Sequence, residues 1–262
     1  MSILLPEHVD QAVANTLENT SKPLSTNVGN TLGDLWFLVF GGISNKAEQR
    51  RIRYAVELDK FKEELEQKCN NIPEEDLKEP DTQIAGQALE KSKYCIEQEK
   101  LRSMFSSLIA SSMMKSKEGI IHPSYAEILT QMSSDDANAL LELNEAAYYP
   151  TQNYIVYLNN SKEYHPLFND VWRICVTLDD IAKCGMLTTS LKRLGLIEMS
   201  YSEHITDNSK YDSLNNKYII DALRQYVLQL EGELSPKEVK IDSKKGVLRL
   251  TEFGRNFLRC VL

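Results

Sequence analysis

Across residues 46–69 the apolar side chains Tyr54, Leu58, Phe61 and Leu65 recur at spacings of four and three. That is the stripe of an amphipathic helix, which needs other elements to cover it. The same spacing returns at Leu101, Phe105, Leu108 and Ser112, with Ile109 beside them, and Leu140, Leu141 and Leu143 mark a further helix. With only 11 glycines and 8 prolines in 262 residues, and with Leu, Glu, Lys and Ala abundant, the composition favours helix over sheet. The first turns of the 46–69 helix carry Arg50, Arg51 and Arg53, and its later turns carry Glu63, Glu64 and Glu66. This order opposes the helix dipole, which suggests that the arginines have a partner elsewhere.

The remaining elements are read between these anchors. Residues 7–17 predict a short helix with Val9, Val13 and Leu17 on one face, and the polar stretch 21–30, containing Pro23, predicts a loop. Residues 70–81 form an acidic, proline-bounded connector, and 84–114 predict one helix or two. The small residues Ser106, Ser107, Ala110 and Ser111 suggest close packing against neighbouring helices. Pro123 suits the first turn of a new helix, and Ser133 with Asp136 has the form of a capping box that opens the next. Tyr154 to Leu158 reads either as a strand or as a helical turn.

The last third changes character. Two short helices, one starting at Asp179 and one over 187–194, precede an alternating strand over 196–201. A helix over 214–230 follows. Residues 238–241 and 247–250 then flank Asp242-Ser243-Lys244-Lys245-Gly246, which predicts a hairpin turn. The order helix, helix, strand, hairpin is that of a winged helix, with 187–194 as recognition helix and 214–230 as an inserted helix. The fold expected is therefore mainly α: a helical domain over 1–150, then a winged-helix-like α+β module over 151–262, clearest over 171–262.

The formal charge of -8 opposes non-specific binding of phosphate backbones by the whole surface, while leaving room for a local basic patch. The five cysteines are scattered, with no C-x-x-C pair, so neither a disulfide framework nor a zinc site is expected; buried thiols in a reducing cytoplasm are. The N-terminus lacks the basic and apolar segments of a signal peptide. Residues 32–43 are the most apolar stretch, but a membrane-spanning helix needs about 20 apolar residues. This stretch is too short, contains Asp34 and stops at Gly41-Gly42, so burial is expected rather than spanning.

Catalytic and phosphate-binding motifs are absent, among them G-x-S-x-G, the P-loop, H-E-x-x-H and G-x-G-x-x-G. His8, His122, His165 and His204 have no second ligand at metal spacing, so no metal and no cofactor is expected. The runs Glu63-Glu64-Glu66 and Glu74-Glu75-Asp76 read as a solvated face and an acidic loop. His122 before Pro123 reads as the start of a helix, its alternative being a general base. Lys192 and Arg193 on the recognition helix, with Lys244 and Lys245 at the wing tip, stand where a winged helix touches DNA or a protein partner. Trp36 and Phe37, followed by Arg50, Arg51 and Arg53, form an apolar patch before a basic cluster. That pattern suits a partner, a membrane surface or a core helix followed by a surface one.

Several stretches resemble the bacterial abortive infection alpha family, which is linked to defence against phage. They are Leu32-Gly33-Asp34-Leu35-Trp36; Ile72-Pro73-Glu74-Glu75 with Glu79-Pro80 and Ile84-Ala85-Gly86; and Glu99 to Phe105 running into Leu108 to Met113. The most specific is His122-Pro123-Ser124-Tyr125-Ala126-Glu127-Ile128-Leu129, with Gln131-Met132-Ser133 and Asp136-Ala137 after it. Leu194-Gly195-Leu196-Ile197 and Leu250-Thr251-Glu252-Phe253-Gly254 also fit. The resemblance implies a phage-defence protein and brings no catalytic residues with it. Together with the missing catalytic set, it gives the expectation of a non-enzymatic cytoplasmic defence protein working through contacts with a host or phage protein. The alternative is a winged-helix DNA-binding regulator.

Overall fold

The computed structural model describes residues 26–41, 48–144, 146–159, 161–173, 177–232 and 235–262, with side chains at 29–41 and from 53 onward. The chain falls into two compact units: one runs to Gln131 and includes Arg259–Leu262, and the other is Met132–Leu258. Nine α-helices and one four-stranded sheet lie among the described residues. The expected helix over 7–17 lies outside them.

The first unit holds α1 (Thr26–Phe40), α2 (Glu48–Asn70), α3 (Thr82–Ser92), α4 (Glu99–Ser111) and α5 (Tyr125–Gln131). Helix α1 begins inside the stretch expected to be a loop, so residues 26–30 are helical rather than irregular. Its Leu32, Trp36 and Phe40 face inward, with the Trp36 ring 4.6 Å from Phe40 and 5.6 Å from Phe61 of α2. The stripe read from α2 is half right: Phe61 and Leu65 are buried, while Tyr54 and Leu58 are half-buried. The 84–114 segment is two helices. Asp81 caps α3 by accepting the N–H groups of Gln83 and Ile84. Helix α4 is buried along almost its whole length, Ser106, Ser107, Ala110 and Ser111 included. Small side chains let neighbours approach it from more than one side, as the sequence suggested.

The second unit holds α6 (Ser134–Glu142), β1 (Tyr149–Leu158), β2 (Tyr164–Val171), α7 (Leu178–Arg193), β3 (Ile197–Ser200), α8 (Lys217–Glu231), β4 (Val239–Leu250) and the first part of α9 (Glu252–Val261). The expected capping box of Ser133 and Asp136 is present, and Thr177 with Asp180 forms another at α7. Residues 178–193 are one helix, not two. Gly185 weakens a helix by about 1 kcal/mol relative to alanine, and burial of Ile181, Cys184, Thr188 and Leu191 outweighs it. The sheet is antiparallel in the order β2-β1-β4-β3.

The predicted wing hairpin does not form. Residues 242–246 continue a single 12-residue strand, paired from Val239↔Leu158 to Leu248↔Tyr149. Strand β1 supplies ladder partners along the whole segment, so the turn-like composition is overridden. One sheet face packs under α8, where Val156, Val239 and Val227 are joined by Leu158, Leu167, Leu228 and Ile241.

Candidate functional site

The four cations placed at a DNA or partner contact have different surroundings. Lys192 lies 3.1 Å from Asp170 Oδ2. Asp170 is a hub: at φ 61° it accepts the Tyr201 hydroxyl at 2.8 Å, its carbonyl accepts Thr188 Oγ1, and its N–H donates to Asn153 Oδ1. Burial pushes the Tyr201 hydroxyl well above its ordinary range, and the hydrogen bond to the Asp170 carboxylate adds to this. Lys245 donates to Asn208 Oδ1 at 2.8 Å and lies 4.9 Å from the Tyr211 ring centre. Lys244, its neighbour in β4, is exposed on the opposite face of the sheet, because side chains alternate along a strand. Arg193 is exposed at the end of α7.

On α1, Trp36 belongs to the core, while Phe37 and Leu38 are 66% and 79% exposed. Arg53 is exposed; the side chains of Arg50 and Arg51 lie outside the described residues. No described helix is long and apolar enough to cross a membrane.

The motif residues serve turns and caps. His122 is exposed; its Nδ1 accepts the Ser124 N–H at 3.1 Å and lies 2.7 Å from Ser124 Oγ. Next to it Pro123 is half-buried, and buried Tyr125 donates to the Ile120 carbonyl. At the other end of the chain two motifs lock together. Gly195, at φ 71°, ends α7 in a Schellman arrangement: its N–H reaches the Lys192 carbonyl and the Leu196 N–H reaches that of Leu191. Thr251 donates its N–H to the Leu196 carbonyl and its hydroxyl to the Gly195 carbonyl, while its Oγ1 accepts the Gly254 N–H. Gly254 then lies so close to Leu196 that a Cβ would collide with the Leu196 backbone.

These junctions fall within residues 53–261, which match the model of the family described as abortive infection alpha. The chain belongs to that family. The match covers most of the chain and begins after α1, so Leu32 to Trp36, taken above as part of the resemblance, lies outside it. No curated protein and no solved structure matches the chain. Membership in an abortive infection family connects the chain with phage defence and names no reaction.

Within the matched region the largest charged group missed in the sequence is Arg102. It is 5% exposed, reaches Glu64 Oε1 at 2.9 and 3.0 Å, and pairs with Glu57. Of the late-turn glutamates of α2, Glu64 therefore takes its partner from α4. Next to them Lys68 donates to the Ser103 carbonyl at 2.8 Å and to the Ser103 and Ser107 hydroxyls. No group of three or more His, Cys, Asp and Glu among the described residues could hold a metal ion. Cys69, Cys95, Cys184 and Cys260 are buried thiols, and Cys175 lies outside the described residues. Burial raises the Cys69 thiol to about 12 and the Cys260 thiol to about 11, which leaves both protonated and unreactive at neutral pH.

Proposed function

We propose that the chain is a non-enzymatic abortive-infection protein that acts in the cytoplasm by binding a host or phage protein. The observation that carries this reading is the side-by-side exposure of Phe37 and Leu38 on a helix whose other face is packed. Exposed apolar groups beside one another are the form that a contact surface takes. The engagement of Lys192 with Asp170, and of Lys245 with Asn208, speaks against the alternative of a DNA-binding wing.

Two measurements test the proposal. Replacing Phe37 and Leu38 together with serine should leave the melting curve unchanged, since both side chains are already in water. It should abolish protection in a phage plaque assay. Full protection by that variant would remove the contact surface from the mechanism. His122→Ala should cost about 1 kcal/mol, the typical value of a lost cap, and should leave protection intact. A folded His122→Ala protein that no longer protects would sink the non-enzymatic reading.

A further inference from the structure

One face of the sheet is packed under α8; the other carries a different set of side chains. Along it Asn153, Ile155 and Tyr157 of β1 lie opposite Lys244, Asp242 and Lys240 of β4, and Tyr157 lies opposite Tyr164 of β2. The rings of Tyr157 and Tyr164 meet edge to face at 6.1 Å, and Tyr164 is 53% exposed. Lys240 Nζ sits 5.3 Å from the centre of the Tyr157 ring, and an open depression beside it is lined by Tyr157, Ser161, Lys162, Glu238 and Lys240. Lys162, Lys240 and Lys244 are all exposed.

We propose that this face binds single-stranded nucleic acid, with bases stacked on Tyr157 and Tyr164 and phosphates met by Lys162, Lys240 and Lys244. Three arguments support the choice of ligand. Protein interfaces are depleted in lysine at their centres, whereas here lysines surround the rings. Unstacked bases offer flat faces to an aromatic platform, and a duplex keeps those faces covered. The charge is locally suitable in a chain of net charge -8. The facing carboxylates are Asp242, which lies 3.5 Å from Lys240, and Glu238, whose Oε2 is taken by the Ser235 N–H and hydroxyl. Asp242 offsets Lys240, so Lys162 and Lys244 stand against the one other facing carboxylate, Glu238. The proposal is independent of the protein contact at α1, and either can fail alone.

The test is fluorescence anisotropy of the full chain with labelled oligouridylate and oligodeoxythymidylate of about a dozen nucleotides, a length within the usual range for such surfaces. Both should bind, more weakly as salt rises. Tyr157→Ala with Tyr164→Ala should weaken binding about tenfold or more, and Phe at both positions should restore it. Lys162→Gln with Lys244→Gln should lower the salt slope by about 0.7 for each lysine lost. Both lysines are exposed, so this variant decides the matter even if the alanine variant fails to fold. No binding at low salt would overturn the proposal, as would unchanged affinity in the lysine variant or equal binding of a duplex. Sedimentation showing self-association that the tyrosine variant abolishes would assign the face to a second copy instead.

Discussion

Gly254→Ala is expected to destabilise the second unit by about 3 kcal/mol or more, the upper end of what a forced insertion into packed structure costs. The added methyl would meet the carbonyl oxygen, carbonyl carbon and Cα of Leu196, all of them backbone atoms. No rotamer change relieves such a clash, so the start of α9 must move and the bond from the Gly254 N–H to Thr251 Oγ1 is lost with it. Gly195→Ala provides the contrast. Nothing lies within 4 Å of a Cβ there, and only φ 71° opposes a side chain, which costs about 1 kcal/mol. The chain has two tryptophans, Trp36 in the first unit and Trp172 in the second. In a Trp36→Phe background, urea unfolding followed by fluorescence therefore reports on the second unit. Equal midpoints for the two glycine variants would show that the close approach to Leu196 is not what this glycine serves.

What the sequence revealed and what it hid divide along contact distance. The capping box of Ser133 and Asp136 spans one helical turn, so both partners were visible together. The Asp242-Ser243-Lys244-Lys245-Gly246 stretch has the composition of a turn, but its ladder partners are residues 151–155 of β1. Nothing within the local window announces them, and the local preference was followed to the wrong answer. The split of 178–193 into two short helices failed in the same way, because the burial that carries α7 through Gly185 comes from the helix's packed face. In α1 the run of apolar residues left core and contact surface undivided; the packing of Trp36 against Phe61 tells it apart from exposed Phe37 and Leu38. The sheet face of Tyr157, Tyr164 and Lys240 was unreadable for the same reason. Its members come from three strands whose register the sequence does not state.

Arg102 shows the strongest case of hidden energetics, since within Glu99-Lys100-Leu101-Arg102 it reads as one more surface charge. Its carboxylate partners lie 38 and 45 residues earlier. Arg102→Met is expected to destabilise the first unit by about 2–3 kcal/mol at neutral pH, the range for hydrogen bonds to charged groups, because its bonds to Glu64 and to the Ile96 carbonyl are lost. Adding Glu64→Gln to Arg102→Met should recover part of the loss, since Glu64 has its ion pair with Arg102 alone among the pairs described, whereas Glu57 keeps Lys60. The pH dependence gives an independent check. Hydrogen bonding from Lys60, followed by the charges of Lys60 and Arg102, holds the Glu57 carboxyl below its ordinary 4.5. A depressed carboxyl stabilises the fold above its unfolded value, and that stabilisation is lost as pH falls through the lower folded value. In Arg102→Met the Glu57 carboxyl keeps Lys60 but loses the charge of Arg102, so it is held down less and less stability is lost when it protonates. The gap in stability between wild type and variant should therefore narrow as pH falls from 7 towards 4. Urea midpoints in a Trp172→Phe background, where Trp36 alone reports on the first unit, measure that gap. A gap that stays constant across this range would mean that Arg102 acts through packing of its stem rather than through its charge.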